Sequence, residues 1–266
     1  MWKPLTAATL TVLAMAVPSW ADTHIAYVDD AGRPATQVYV KDGKVRLETG
    51  GDAILYDTAA GRFTMIDGGQ RSYIVMDAER MERMAAGAKQ AQEQMTASMA
   101  QMHQQMEGMP PEQRAMMEQM MGSLGGAGAA SGPMAPPTVE IEDVGSTQNV
   151  AGFPCKDVRM LTGGKAVARM CVAELERLNI PDADRAALDA MHQGMKKLAA
   201  MGPAGSAAPD IMPQGLALRY VPQGKAAGGG EGPEVLQSIS HGAVQADLFA
   251  VPAGYTEEVM PEVNFK

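Results

Sequence analysis

From Asp22 to Asp77 the chain alternates apolar and polar residues with a period of two in six short runs, THIAYV, TQVYV, KVRLE, DAILYD, RFTMID and RSYIVMD, separated by turns of a few residues. A period of two is what strands require, because successive side chains point to opposite faces. Connections this short cannot carry the crossover that parallel strands need, so these fifty-six residues read as an antiparallel meander. Asp42-Gly43, between the second and third runs, is the strongest short hairpin signal a sequence offers. Val38, Val40, Val45 and Leu47 are apolar, while Tyr39, Lys44, Arg46 and Glu48 between them are mostly polar. One face of the meander is therefore expected to pack on something.

At Asp77, a good N-cap, the period changes to about 3.5. Met81, Met84, Ala88, Ala91, Met95, Met99, Met102, Met106 and Met109 follow one another at intervals of three and four residues, the spacing of a single apolar stripe on a helix. Pro110-Pro111 stops that helix, and PEQRAMMEQMM restarts a short second one, so residues 78–121 read as a Met-rich helical hairpin. A helix from 77 to 108 would be on the order of 45 Å long, so it must lie right across the sheet or extend beyond it. GSLGGAGAASGPMAPP, 122–137, has the composition of a flexible linker. Residues 138–266 supply a second sheet half: TVEIEDV, a cysteine hairpin, GLALRYV, PEVLQSIS and AVQADLFAVP read as strands, around a helix at 181–201 whose apolar face is Leu188, Met191, Met195 and Leu198. The expected fold class is α+β in a single domain over 22–266, with helices on one face of one antiparallel sheet.

Residues 1–21 combine Lys3, an apolar run from Leu5 to Val17 and small residues at Ser19 and Ala21. They read as a secretory signal peptide cleaved near Ala21, too short to span a bilayer. No later stretch approaches eighteen consecutive apolar residues, so no integral membrane segment is expected after the signal is removed. An Ala- and Gly-rich composition points to a bacterial periplasm. Without Lys3 the chain has 21 basic against 31 acidic residues, a formal charge of −10. That charge disfavours nucleic acid and anionic membrane surfaces as partners.

Cys155 and Cys171 are the only cysteines, and an even count in an oxidising compartment reads as one disulfide. A three-residue loop at Thr162–Gly164 would set Leu161 opposite Lys165 and Cys155 directly opposite Cys171.

KVRLETGGDAILYDTAAGRFTMIDGGQRSYIVMD, the Met-rich helix, AGFPCKDVRMLTGGKAVARMCVAEL and DLFAVPAGY together resemble an exported bacterial family, domain of unknown function 4412. That family is distantly similar to the carriers and receptors of outer-membrane lipoprotein sorting. The resemblance implies an open antiparallel half-barrel whose concave face is plugged by helices, here the Met-rich hairpin and the later helix, and which cradles an apolar ligand or a lipidated protein.

Function then turns on MHQQMEGMPPEQRAMMEQMM, residues 102–121, with seven methionines and a histidine. Three readings are open. Met packs well in irregular cores and favours helices. Flexible thioethers also line deformable apolar grooves. And thioethers select Cu(I), with pairs such as Met99/Met102 and Met117/Met120 one helical turn apart and His103 close by. Met95, Met99, Met102, Met106, Met117 and Met120 are the candidate ligand-binding residues, with Cu(I) binding as the alternative use of these helices. His24, His103, His192 and His241 are far apart and form no HExxH, and neither a GxSxG elbow nor a phosphate-binding glycine loop occurs. The sequence therefore predicts a non-enzymatic binding protein with no cofactor.

Overall fold

A computed structural model describes residues 22–107, 139–200, 215–223 and 232–258. Each of the six alternating runs forms a strand: β1 (Asp22–Asp29), β2 (Pro34–Lys41), β3 (Lys44–Thr49), β4 (Asp52–Asp57), β5 (Arg62–Asp67) and β6 (Ser72–Met76). At the β2–β3 turn Lys41 pairs with Lys44, and Asp42 and Gly43 take φ of 48° and 73°. Positive φ at both central residues is what a two-residue turn matched to strand twist demands. Helix α1 (Ala78–Glu107) follows, started by Asp77, whose Oδ1 accepts from the Arg80 amide at 2.8 Å.

The second group comprises β7 (Val139–Val150), β8 (Phe153–Thr162), β9 (Lys165–Ala173), helix α2 (Asp182–Ala200), β10 (Leu216–Pro222) and β11 (Glu234–Gly242), with a two-residue strand β12 (Thr256–Glu257) at the end. The sheet order is β12-β6-β5-β4-β3-β2-β1-β11-β10-β9-β8-β7. Two meanders are thus joined through β1 and β11, which pair antiparallel from Asp22↔Gly242 to Asp29↔Glu234. The first strand of the described chain sits in mid-sheet, so both neighbours must be present before either meander gains its full set of ladder bonds. Only β12, parallel to β6, departs from antiparallel pairing.

The α+β expectation is overturned. Among the described residues twelve strands outweigh two α-helices, and the body of the molecule is a 12-stranded open sheet rather than a half-barrel plugged by a Met-rich helical hairpin. The physical reason lies in what the helices cover. Of the stripe residues whose burial is described, Met81 in the first turn of α1 packs at the margin of the core and Met84 is exposed at 37%. Helical spacing identifies an amphipathic helix without saying what its apolar face meets. The second arm of the expected hairpin, with the linker, lies outside the described residues.

The helix that covers the sheet is α2. Ala187, Leu188 and Met191 are buried in one core with Ile25, Val40, Val45, Tyr56 and Phe63 of the first meander and Cys155, Cys171 and Leu218 of the second. Close approach depends on Gly194: a Cβ there would stand 2.8 Å from the Phe63 ring and 3.3 Å from the Tyr56 ring. The face carrying α2 is called inner below. On the outer face Ala53, Leu55 and Ile66 are covered by Val251 and Tyr255 from the C-terminal segment. That segment, read above as a final strand, contains a 3-10 turn at Ala246–Phe249, and the Leu248 carbonyl accepts from Arg46 Nη1 at 2.9 Å. Among the described residues no helix is long and apolar enough to cross a membrane.

Candidate functional site

The inner face of β3–β6 is built in rows fixed by strand register. Val45, Tyr56, Phe63 and Met76 pair across the four strands, are all buried, and lie where α2 passes, the Tyr56 and Phe63 rings 4.4 Å apart and tilted at 35°. One pleat further along, Leu47↔Ile54, Ile54↔Met65 and Met65↔Ile74 form a second row, entirely apolar and only half-buried. One pleat further still the row turns polar, with Thr49↔Asp52 and Asp67↔Ser72. The apolar row floors, and the polar row rims, an open cavity of about 500 Å³, within the usual range of small-ligand sites.

The end of the cavity is shaped by two turns that touch. A Cβ at position 68 would meet the Gly51 carbonyl oxygen at 2.2 Å, so the β5–β6 turn can approach the β3–β4 turn only with glycine there. The Gly68 amide donates to Asp52 Oδ1 at 2.9 Å, and Asp67 Oδ1 accepts from the Gln70 amide at 2.7 Å. Asp52 therefore ties the two turns together, and Asp67, whose Oδ2 also accepts from Gln70 Nε2 at 3.0 Å, closes its own turn; each carboxylate oxygen has a second lone pair for another donor. Glu258 joins the lining, and no Lys, Arg or His does among the described residues.

The second meander furnishes the same face differently. Asp157, 2% exposed, accepts from Ser146 Oγ at 2.7 Å, from Gln148 Nε2 at 2.8 and 2.9 Å, and from Arg169 Nη2 at 2.9 Å, while Arg219 Nη1 donates to Gln148 Oε1 at 2.9 Å. Burial pushes the Asp157 carboxyl up, but the donors Ser146, Gln148 and Arg169 and the Arg169 charge outweigh it and hold it below its ordinary value. A third polar cluster lies between β1 and the start of α2. Thr23 Oγ1, fully buried, donates to Asp184 Oδ2 at 2.6 Å and lies 3.4 Å from His241 Nδ1. Burial raises the Asp184 carboxyl, with Asp22 adding to the rise and Thr23 and His241 opposing it. Thr23 and Asp157 are too deeply buried to meet a substrate, and their bonds tie elements together.

Met95, Met99, Met102 and Met106 fall on one stripe of the α1 backbone, but their side chains, with the whole of Met117 and Met120, lie outside the described residues. The methionine that the described cavity does hold is Met65. Sequence reasoning missed Leu47, Ile54, Met65 and Ile74 as a set. The signal was present in the pairs Val45-x-Leu47, Ile54-x-Tyr56, Phe63-x-Met65 and Ile74-x-Met76, which align once each hairpin register is written out.

Cys155 and Cys171 are joined, both buried, with Cα atoms 5.4 Å apart. The register behind the bond differs from the expected one. The turn has two residues, Gly163 and Gly164, with φ of 55° and 75°, and Val167 bulges out between Leu161↔Ala166 and Met160↔Ala168. Cys171 therefore pairs with Asp157, and Cys155 reaches it diagonally.

These features define a broad antiparallel sheet protein, one helix lying on its inner face beside an apolar cavity. The chain belongs to the family described as domain of unknown function (DUF4412), whose model matches residues 62–255. The match runs from the start of β5 to Tyr255, so Met65 and Ile74 of the apolar row fall inside it and Leu47 and Ile54 before it. No curated protein matches the chain.

Proposed function

We propose that this protein is an exported, non-enzymatic binding protein that holds an apolar ligand, or the acyl chain of a lipidated partner, against the inner face of β3–β6. The observation that carries the reading is the row Leu47, Ile54, Met65 and Ile74, apolar across four strands and left half-buried beside α2 on the floor of the cavity. Filling the site would remove that apolar surface from water, worth about 25 cal/mol per Å² covered. The signal-peptide pattern of residues 1–21 and the disulfide support an oxidising periplasm as the place of work.

The test is native mass spectrometry of the protein exported into a bacterial periplasm and purified without detergent, beside an Ile54→Glu/Met65→Glu variant. Wild type is expected to carry a lipid-sized adduct that the variant lacks, with strand circular dichroism retained. A bare wild-type mass that also takes up no added alkyl probe would end the proposal.

A further inference from the structure

Resting on that reading, we infer that the cavity selects an apolar chain ending in a cationic group, and discriminates against one ending in a carboxylate or phosphate. The floor accepts any alkyl chain, so the rim decides what may stand at its end. Asp52 and Asp67 lie in the polar row immediately beyond the apolar one, and Glu258 joins them in the lining. Asp52 is held by the Gly68 amide and Asp67 by the Gln70 backbone and side-chain amides, neutral donors that fix the carboxylates without supplying a counter-charge.

The nearby cations are directed elsewhere. Arg71, in the same β5–β6 turn as Gly68, lies over the Tyr255 ring at 5.8 Å from its centroid, with the outer-face cluster. Arg46 points to the outer face as well, bonded to Glu48 Oε2 at 3.0 Å and to the Leu248 carbonyl. Arg80 donates to the Val75 carbonyl and faces Glu257 at 3.8 Å. The sheet thus sorts charge by face around this site, with carboxylates on the cavity side and guanidinium groups behind. An anionic headgroup seated on the floor would meet fixed negative charge with no counter-ion supplied by the lining. An ammonium would instead meet two or three carboxylates at the rim, an attraction that solvent and salt screen.

The experiment is calorimetric titration of the mature full-length chain with decylammonium, decanoate and decanol at submicellar concentration and low salt. Decylammonium should bind at least about tenfold more tightly than decanoate, and about 1 M salt, where the Debye length is about 3 Å, should narrow that ratio. Asp52→Asn/Asp67→Asn keeps an acceptor for each turn amide and should collapse the ratio towards one. If the double variant fails to fold, Asp67→Asn alone should still reduce it. Equal or tighter binding of decanoate by wild type, or an unchanged ratio in the folded variants, overturns the charge selection while leaving the apolar site intact. Failure of all three probes to bind would instead sink the proposed function itself.

Discussion

Strands β3–β6 and strands β7–β10 share the inner face of one sheet, yet they furnish it with opposite chemistry. The first group presents Leu47, Ile54, Met65 and Ile74 in an unbroken apolar row, and the second presents Ser146, Gln148, Asp157, Arg169 and Arg219 as a connected set of hydrogen bonds. An apolar row is non-directional, so it can accept a ligand of varied shape and still be stable when empty. A carboxylate 2% exposed tolerates no such freedom, because each lost partner leaves a desolvated charge. The difference separates a half that can change its occupant from a half that fixes its own register, next to the disulfide.

The largest effect is expected where the apolar half meets α2. Phe63, 1% exposed, lies against Tyr56 and beneath Gly194. Phe63→Ala removes the ring on which the helix rests, and should cost about 3–5 kcal/mol in urea unfolding, or roughly 10 °C in Tm. A cost below about 1 kcal/mol would mean that α2 is held chiefly by the second meander and that the two halves are not comparable supports.

Breaking the polar half should cost less. Asp157→Ala removes every acceptor that Ser146, Gln148 and Arg169 share, but Arg169 is 45% exposed and returns to water. The loss should be about 2–3 kcal/mol, the scale of hydrogen bonds to a charged group. The sign of its pH dependence is fixed by the direction of the shift. A carboxyl held low in the folded state contributes stability that is present above its unfolded value and is lost as pH falls through the folded one. Wild type should therefore approach Asp157→Ala in stability below about pH 4, measured by urea unfolding across acid pH. A constant gap would show that Asp157 acts by shape and not by charge.

Much of this contrast could be read from the sequence, and the parts that could not have identifiable causes. The first meander was legible because its strands alternate cleanly and Asp42-Gly43 dictates a tight turn. The disulfide was legible from cysteine count and compartment, but its diagonal geometry was hidden, since Val167 is inserted into the ladder without any mark in the apolar pattern. Helix α1 was legible from spacing of three and four, whereas the half-burial of Met81 and the exposure of Met84 depend on tertiary placement that spacing does not carry. Counting that stripe as a plug produced the α+β expectation. The apolar row escaped notice because it exists only between strands: Leu47, Ile54, Met65 and Ile74 are unremarkable singly and become a site through three registers that must all be right.

The smallest effect is expected at the seam between the halves, where the sign of the pH dependence reverses. Asp184 sits in the first turn of α2 and accepts from Thr23 Oγ1 of β1, with burial and Asp22 raising its carboxyl against Thr23 and His241. A carboxyl raised in the folded state binds its proton more tightly there than in the unfolded chain. Its contribution to stability is therefore complete below the unfolded value and declines as pH rises through the folded value. At neutral pH the charge is a cost, offset by the Thr23 bond and by an acidic residue's preference for a helix N-terminus. Asp184→Asn keeps an acceptor for Thr23 and removes the charge, so at pH 7 it should change stability by less than about 1 kcal/mol. As pH falls from 7 toward about 4, wild type should gain on the variant, the opposite of the trend at Asp157. If both carboxylates instead showed the Asp157 trend, the seam would be held by the ionised form of Asp184, and the joint between the meanders would belong with the polar half rather than standing apart from it.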